Sequence, residues 1–373
     1  MLRGLLLSLG IGLAGISVAG EELKIETNLT HTGNRLEFDF PEVLIGTAEY
    51  PAGPTGTTLF YFPEAAQVAV DIRGSSAGTF FTQERMQQGQ ACIYGISLNG
   101  GGILGLEATS GAMASLYKKN LYRNDFLHMP LFSGAVIYDF VPRVGSSIYP
   151  DKHLGQIAFQ SARAGAFPLG QRGAGLSATV GKIFGVEAAM PGGQGAAFAQ
   201  YDDIKIAVFT VVNAMGVVLD ENSVPFYGLK GGVDPLEFEQ KLNEALSSTQ
   251  DQAPIPGNTT LTVVITNVPL SPRQLQQLGK QVHNALPQVI SPYGTMLDGD
   301  VLYAVSTATA QHEKVPSDIS IANDMELKHI YLGILAGKLA KQAVWAAVGY
   351  APTSEEAPSK EACSEESPLL DKS

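Results

Sequence analysis

Residues 257–283 read GNTTLTVVITNVPLSPRQLQQLGKQVH, a β-branched run followed by an amphipathic one. The run TLTVVITN (260–267) has the Val, Ile and Thr content of a buried strand. Ser271, Pro272 and Gln274 predict a helix start, because serine is an N-cap, proline fits the first turn and glutamine completes a capping box. The apolar residues that share one face of this helix are Leu275, Leu278, Val282 and Leu286. The stretch therefore predicts a buried strand followed by an amphipathic helix.

Apolar segments separated by turns extend in both directions from this stretch. Segments rich in β-branched and aromatic residues predict strands within 36–73 and at 91–98, 134–140, 205–218 and 301–307. Helical patterns occur at 103–120, 235–248 and about 322–349. Because strands and helices mix without strict βαβ alternation, the pattern predicts layered α and β elements in one domain and not a doubly wound sheet.

The composition of the 373-residue chain allows a sizeable core, since 45% of its residues are hydrophobic and 16% are charged. It excludes wholesale disorder, which requires low hydrophobicity and high charge density. A net charge of −12 argues against nucleic acid as a partner, because phosphate contacts need clustered Lys and Arg. Cys92 and Cys363 are too few for a disulfide framework, and the six histidines show no metal-ligand spacing. We therefore expect neither a metal nor a cofactor.

The two ends of the chain differ in composition from the rest. Residues 1–20 contain one arginine, an apolar run and small residues at the end, which predicts a signal peptide. A membrane anchor is the alternative, but a spanning helix needs about 20 apolar residues and this run is shorter. Residues 352–373 hold six acids and two lysines, which predicts a disordered acidic tail. We expect an exported protein, secreted or periplasmic, with a membrane-anchored or lysosome-like location as the alternative.

Residues 100–105, GGGILG, satisfy the G-x-G-x-x-G pattern between a predicted strand and a predicted helix. A dinucleotide-binding loop has this pattern and needs an acid about 20 residues further on, for which Asp125 is available. A single match in a glycine-rich chain is weak, so a tight turn that only glycine fits is the favoured interpretation. The zinc-protease pattern H-E-x-x-H and the C-x-x-C pattern do not occur.

Two short motifs near the opening stretch carry candidate chemistry. Asp298-Gly299-Asp300 places two carboxylates just before a predicted strand, where they can orient an amine or share a proton. An ordinary Asp-Gly turn is the favoured alternative from this motif alone. Residues 256–260, PGNTT, are a loop end before the buried strand. If the bond before Thr259 is cut, its hydroxyl gains an α-amine of unperturbed pKa about 8, which can act as a base near neutral pH.

The opening stretch and the segment TMLDGDVLYAVST (295–307) resemble the self-cleaving N-terminal-nucleophile family of L-aminopeptidase/D-Ala-esterase/amidases. Within that family the resemblance is to the endo-type 6-aminohexanoate-oligomer hydrolases. Further matching segments, in chain order, are RLEFDFPEVLIGTAEYPAGPTGTT, QVAVDIRGSSAGT, GAVIYDF, YPDKHLG, GAGLSATVGK and GQGAAF. The likeness covers about residues 36–350. It implies an α/β fold of the N-terminal-nucleophile aminopeptidase type, a four-layer α-β-β-α sandwich.

The resemblance also implies that the chain cuts itself between Asn258 and Thr259. The larger (alpha) chain would then be 21–258, and the smaller (beta) chain would have its core at 259–351. Members of the family keep the two chains together, so the expected partners are the two cleaved chains and further copies, as a tetramer of heterodimers.

The resemblance assigns roles to individual residues of this sequence. Thr259 would be the nucleophile, Lys182 the catalytic-site lysine and Asn213 the asparagine near the oxyanion. Asp298 and Asp300 would be the acid pair that supports the nucleophile. The residues implied to line the substrate site are Tyr138, Gly101 and Gly102. Where the family commonly has polar or aromatic residues beside these glycines, this chain has Ile103 and Leu104, so its substrate choice is expected to differ.

The expected function is that of an autoprocessing hydrolase that cleaves amide bonds of small peptides, aminoacyl amides or 6-aminohexanoate-type oligomers. One alternative is a threonine-nucleophile acyltransferase of the ornithine acetyltransferase type, which also cuts itself. Another is a member whose loop stays uncut and which has no enzymatic activity. The partner in the first two cases is a small molecule or a peptide, and not nucleic acid.

Overall fold

The computed structural model of the chain describes residues 23–125, 129–232, 234–247, 257–307 and 319–351. The predicted signal peptide (1–20) and the predicted acidic tail (352–373), which contains Cys363, lie outside the described residues. Cys92 is a free and exposed cysteine. In the described part of the chain, no helix has both the length and the apolar character needed to span a membrane.

The strands of the described residues fall into one large sheet and three small ones. In chain order they are β1 (Glu26–Thr27), β2 (Arg35–Glu37), β3 (Leu44–Tyr50), β4 (Thr55–Ile72), β5 (Thr79–Phe80), β6 (Ala91–Asn99), β7 (Phe132–Val136), β8 (Ala166–Pro168), β9 (Thr179–Val180), β10 (Met190–Pro191), β11 (Gly193–Tyr201), β12 (Ile204–Asn213), β13 (Val217–Leu219), β14 (Pro225–Tyr227), β15 (Thr259–Thr266), β16 (Ile290–Ser291) and β17 (Val301–Ser306).

The helices confirm the three helical segments predicted from the sequence and the helix after the central strand. In chain order they are α1 (Glu84–Gln87), α2 (Glu107–Lys119), α3 (Lys152–Ser161), α4 (Pro235–Ser247), α5 (Pro272–Ala285) and α6 (Ile319–Ala347). The capping box of α5 is present, since Ser271 Oγ accepts from the Gln274 backbone N–H and Gln274 Oε1 accepts from the Ser271 N–H.

The large sheet has the order β11-β12-β15-β17-β4-β6-β7-β5, with β3 beside β4 and β1 beside β3. The pairs β15–β17 and β6–β7 are parallel, and the other pairs of this sheet are antiparallel. The long strand β4 shifts register against β6 between Tyr61 and Ala66. Its first part pairs with β3 and its last part pairs with β17, so β4 belongs to both halves of the sheet.

Three hydrophobic clusters show how the layers stack. The first cluster joins Phe60 and Ile96, from β4 and β6, to Phe209, Val263 and Tyr303, from β12, β15 and β17. These side chains fill the space between the two halves of the sheet. The two halves therefore lie face to face as the inner layers of a sandwich.

The other two clusters lie on the outer faces of the sheet halves. Because successive side chains of a strand point to opposite faces, Val208 and Val264 turn away from the first cluster and pack with α5 and α6. Leu59 and Tyr61 likewise pack with Leu154 and other residues of α2 and α3. The order of layers is helix, sheet, sheet, helix, which confirms the predicted four-layer α-β-β-α sandwich.

Some boundaries differ from the sequence predictions. The segment predicted as one strand at 205–218 forms β12 and β13, which belong to different sheets. The break contains Gly216, where a Cβ would lie 2.4 Å from the Pro292 carbonyl oxygen, so the backbones approach too closely for a side chain. The helix predicted at 103–120 begins as a 3₁₀ turn at Gly102–Leu106 before α2 starts.

Candidate active site

The predicted site residues meet at one end of the central strands. Thr259 is the first residue of β15 and Asn213 is the last residue of β12, and the antiparallel register places these two residues directly opposite each other. Asp300 comes directly before β17, which runs parallel to β15 on its other side. Lys182 is the first residue of a 3₁₀ turn, Lys182–Phe184, and its side chain bonds to Asn213 at the same end of the strands.

The carbonyl oxygen of the peptide bond between Asn258 and Thr259 accepts hydrogen bonds from Thr259 and Gly299. Thr259 Oγ1 donates to it from 2.6 Å. The backbone N–H of Gly299 donates to it from 2.8 Å. Asn258 and Thr259 are both buried, at 1% and 5% exposure. A hydroxyl and a fixed N–H donor thus converge on one peptide bond in a place shielded from water.

The two aspartates of the Asp298-Gly299-Asp300 motif are buried and anchored by backbone N–H groups. Asp300 Oδ1 accepts from the Thr260 N–H at 2.5 Å, and its Oδ2 accepts from the Gly294 N–H at 3.1 Å. Asp298 Oδ2 accepts from the Thr295 N–H at 2.7 Å. Burial, with a further contribution from the negative charge of Asp298, raises the pKa of Asp300 to about 8. Asp300 is therefore largely protonated at neutral pH.

Lys182 is completely buried and bonded to two residues. Its Nζ donates to the carbonyl oxygen of Asn213 at 2.9 Å and to the carbonyl oxygen of Thr179 at 3.1 Å. It also lies 3.1 Å from Asn213 Oδ1. Burial lowers the pKa of Lys182 to about 7, against the opposing effect of the Asp298 charge. The neutral amine and the ammonium are thus both populated near neutral pH.

Asn213 connects the lysine to the segment that precedes Thr259. Its Oδ1 accepts from the Thr179 backbone N–H at 2.9 Å. Its Nδ2 donates to the carbonyl oxygens of Gly257, at 2.9 Å, and Tyr138, at 3.2 Å. The Asn213 amide therefore contacts the carbonyl of the residue before Asn258.

The three residues predicted to line the substrate site lie together at the outer side of this arrangement. Tyr138 is 39% exposed. A Cβ built on Gly257 would lie 2.4 Å from Tyr138 Cβ, and one built on Gly102 would lie 3.2 Å from Tyr138 Cδ2. The Gly101 N–H donates to Asp139 Oδ1 at 2.8 Å. Tyr138 is thus in contact with both the glycine turn and the segment before Thr259.

The sequence analysis missed three residues that shape the site. Gly299 supplies the N–H donor to the Asn258 carbonyl, and its only signal was its place between the two aspartates. Asp139 and Arg143 form a buried ion pair of 2.5 Å, and Asp139 holds the Gly101 backbone. Their spacing of four residues is a weak signal, because such pairs are common on protein surfaces.

The glycine pattern at 100–105 is explained by its packing. Gly101 and Gly102 have φ values of +77° and +55°, which favour glycine. A Cβ on Gly105 would lie 1.8 Å from the Gly100 carbonyl oxygen. Asp125, the acid required by a dinucleotide site, forms an exposed ion pair of 2.6 Å with Arg123. The prediction of a tight glycine turn is confirmed.

Residues 74–78, GSSAG, match the G-x-S-x-G pattern of serine hydrolases. Ser76 lies in an irregular segment after β4, however, and not on a turn between a strand and a helix. Its hydroxyl lies 3.4 Å from the Met296 carbonyl oxygen. The pattern therefore lacks the surroundings of a nucleophile elbow. Among the described residues, no group of three or more His, Cys, Asp or Glu side chains could hold a metal ion.

The raised pKa of Asp300 predicts that stability depends on pH. The usual aspartate pKa is 3.8, so between about pH 4 and 8 the folded protein keeps a proton that the unfolded chain has released. This contribution to stability is complete below about pH 4 and is lost as the pH rises towards 8. We compare Thr259→Ala with the double variant Thr259→Ala/Asp300→Asn by calorimetry. The Tm of Thr259→Ala is expected to fall between about pH 5 and 7, and the double variant is expected to lack part of this fall. Parallel curves of Tm against pH for the two proteins would contradict the raised pKa of Asp300.

Comparison with known proteins gives related sequences over most of the chain. Residues 37–361 match peptidase family S58. The chain is 36% identical over 315 residues to the 6-aminohexanoate-oligomer endohydrolase of Agromyces sp. (strain KY5R), an alignment that covers 83% of this chain and 84% of that protein. It is 30% identical over 282 residues to an uncharacterized aminopeptidase of Mycobacterium tuberculosis (strain ATCC 25618 / H37Rv), with 71% and 78% covered.

A solved structure shares the architecture. The L-aminopeptidase D-Ala-esterase/amidase of Ochrobactrum anthropi, described as a variant of the N-terminal-nucleophile hydrolase fold, aligns with a TM-score of 0.55 at 17% identity. The alignment covers 87% of this chain and 83% of that one. This likeness confirms the predicted fold, and the sequence matches confirm the predicted family. The chain belongs to peptidase family S58 and is a hydrolase that acts on amide bonds.

Proposed function

We propose that the chain is a self-processing N-terminal threonine hydrolase of small linear amides. Thr259 would first cut its own bond to Asn258 and then attack substrates. The observation that supports this proposal is the 2.6 Å contact between Thr259 Oγ1 and the Asn258 carbonyl oxygen, which also accepts the Gly299 N–H. A nucleophile placed beside a carbonyl whose oxygen already has a donor is the arrangement that acyl transfer requires.

Self-cleavage would proceed through an ester. Thr259 Oγ1 attacks the Asn258 carbonyl carbon, its proton passes to a base, and the Gly299 N–H stabilises the oxyanion that forms. The C–N bond then breaks, the Thr259 nitrogen takes up a proton, and Asn258 becomes esterified to the hydroxyl oxygen. Water hydrolyses this ester. The products are a carboxylate on Asn258 and a free α-amine on Thr259.

Lys182 is the base that the site offers for the first proton transfer. Its pKa of about 7 leaves much of the amine neutral near neutral pH. It is bonded to Asn213, the residue opposite Thr259 in the strand register. The largely protonated Asp300 binds the Thr260 N–H and holds the start of β15 in place.

The cut would convert the site from a precursor to an enzyme. The new α-amine of Thr259 has an unperturbed pKa of about 8 and can accept the hydroxyl proton in each later turnover. When Gly257 moves away, the Asn213 Nδ2 loses one of its two acceptors, and the freed N–H becomes available to a substrate oxyanion. The Gly299 N–H keeps its position on the other side.

The names of two relatives support a proposal for the substrate class. A relative at 36% identity is named as a 6-aminohexanoate-oligomer endohydrolase, and one at 30% identity is named as an aminopeptidase. We propose linear amides with a flexible acyl group, such as 6-aminohexanoate oligomers, short peptides or aminoacyl amides.

The test uses the processed protein with three substrate types. We expect hydrolysis of the linear 6-aminohexanoate trimer or of aminoacyl amides, followed by chromatography of the released amines. Thr259→Ala is the inactive control. Transfer of the acetyl group from N-acetylornithine to glutamate, without hydrolysis of the amides, would instead show an acyltransferase. A wild-type chain that stays uncut would contradict the threonine mechanism.

A further inference from the structure

Among the described residues, a ring of uncharged residues contacts the segments on both sides of the buried bond between Asn258 and Thr259. On one side Gly257 lies against Tyr138, which in turn lies against Gly102. The neighbouring Ile103 contacts the segment after β4, because its Cδ1 lies 3.7 Å from a Cβ built on Gly78. The glycine turn at 100–105 therefore contacts the segment after β4 on the Tyr138 side of the site.

The loop before β17 closes the other side of the ring. A Cβ on Gly299 would lie 3.0 Å from Ala77 Cα, and Ser75 Oγ donates to the Met296 carbonyl oxygen at 2.6 Å. Gly299 is the residue whose N–H binds the Asn258 carbonyl. The ring therefore lies on both sides of the reacting bond, and we expect a substrate to pass it on the way to Thr259.

Five large apolar side chains belong to the segments that form this ring and are exposed to solvent. We call them the apolar mouth: Ile103 (66% exposed), Leu104 (53%), Tyr138 (39%), Met296 (82%) and Leu297 (42%). A group of exposed apolar side chains at a site indicates a surface that binds an apolar ligand. The charged groups of the site, Lys182, Asp298 and Asp300, are at most 2% exposed and bond to Asn213, to the Thr295 N–H and to the Thr260 N–H respectively. They cannot pair with a charge at the mouth.

The position of Gly257 shows which shape of acyl group fits beside Tyr138. Gly257 has a φ of +75°, and a Cβ on it would lie 2.4 Å from Tyr138 Cβ. Counted from the Asn258 carbonyl carbon, the Gly257 Cα is the fifth atom of the acyl chain. An acyl group that takes this place after the cut has no room for a branch at its fifth atom.

We propose that the apolar mouth binds an uncharged, unbranched aliphatic segment of the substrate acyl group, with Ile103 and Leu104 as the residues that determine this specificity. The inference rests on the proposed amide hydrolysis and adds which acyl groups are selected. Burying a methylene stabilises a bound state by about 0.8 kcal/mol, which corresponds to about a fourfold change in kcat/KM for each methylene covered.

The test compares acetyl, butanoyl, hexanoyl, 5-methylhexanoyl and 6-aminohexanoyl p-nitroanilides with the processed protein. We expect kcat/KM to rise about fourfold for each added methylene that the mouth covers, and to fall for the branched chain and the chain with a charged end. The double variant Ile103→Asn/Leu104→Asn should reduce the ratio of hexanoyl to acetyl kcat/KM at least about tenfold. Leu121→Asn is the matched control, since Leu121 is 89% exposed and follows the far end of α2, and it should keep the wild-type ratio.

Two outcomes would overturn the inference. One is equal kcat/KM for acetyl and hexanoyl substrates, and the other is an unchanged ratio in the double variant. If no anilide is hydrolysed, binding of hexanamide and acetamide by saturation-transfer NMR decides the inference separately. The proposed function fails only if the 6-aminohexanoate trimer and the aminoacyl amides also stay intact. Hexanamide binding that the double variant loses and Leu121→Asn keeps would support it, and equal signals for the two amides would refute it.

Discussion

Thr259→Ala is expected to leave the chain uncut and to reduce amide hydrolysis by a factor on the order of 10⁶, because no other hydroxyl lies against the Asn258 carbonyl in the described site. Wild-type protein should separate into two chains, of which the second begins with Thr259. Intact mass spectrometry and N-terminal sequencing under denaturing conditions measure both results. The same preparations provide the enzyme for the substrate tests.

Two further variants distinguish loss of the nucleophile from loss of structure. Thr259→Ser keeps a hydroxyl in the same place and should still cut. Thr262→Ala removes a buried threonine hydroxyl from the same strand, one that pairs with Thr210 at 3.3 Å and not with the reacting bond. It should also cut. Cleavage of the Thr259→Ala chain at residue 258 would rule out Thr259 as the nucleophile.

Lys182→Met is expected to slow self-cleavage by about 10²- to 10⁴-fold, the range for loss of a group that transfers a proton. The precursor is suited to this measurement because Thr259 has no free α-amine before the cut. The neutral form of Lys182 becomes populated as the pH rises through its pKa of about 7. The wild-type rate should therefore increase between about pH 6 and 8, and the variant should lack this increase.

Cell-free synthesis followed by timed quenching at each pH gives the self-cleavage rates. Lys205→Met is the matched control, because Lys205 lies near the start of β12, at the opposite end of that strand from Asn213, and pairs with Asp39. It should retain the wild-type pH profile. A Lys182→Met precursor that cuts at the wild-type rate would mean that another group accepts the proton.

Local sequence determined the elements that depend on nearby residues. The helix α5 begins where Ser271 and Gln274 form a capping box, and its buried face follows the spacing of its leucines. The glycine turn at 100–105 follows from the positive φ angles of Gly101 and Gly102. The break between β12 and β13 could not be predicted, because the close approach at Gly216 comes from residues far along the chain.

The candidate site residues were identified through family resemblance and not from their local patterns. Asp298-Gly299-Asp300 taken alone favoured an ordinary turn, and Lys182 could have been a surface lysine. The structure adds that the Asn213 amide contacts the Gly257 carbonyl in the uncut chain and that Gly299 is the donor to the Asn258 carbonyl. No spacing in the sequence encodes either contact, because each joins separate strands or loops.

The sequence by itself therefore determined the elements, their apolar faces and the family to which the chain belongs. Only the tertiary structure decided which side chains meet. Asn213 lies opposite Thr259 because β12 and β15 pair in one register, and a shift of one residue would turn the strand's side chains to the opposite face. The pKa of Lys182 near 7 is likewise a tertiary property, since it depends on burial by residues from several parts of the chain.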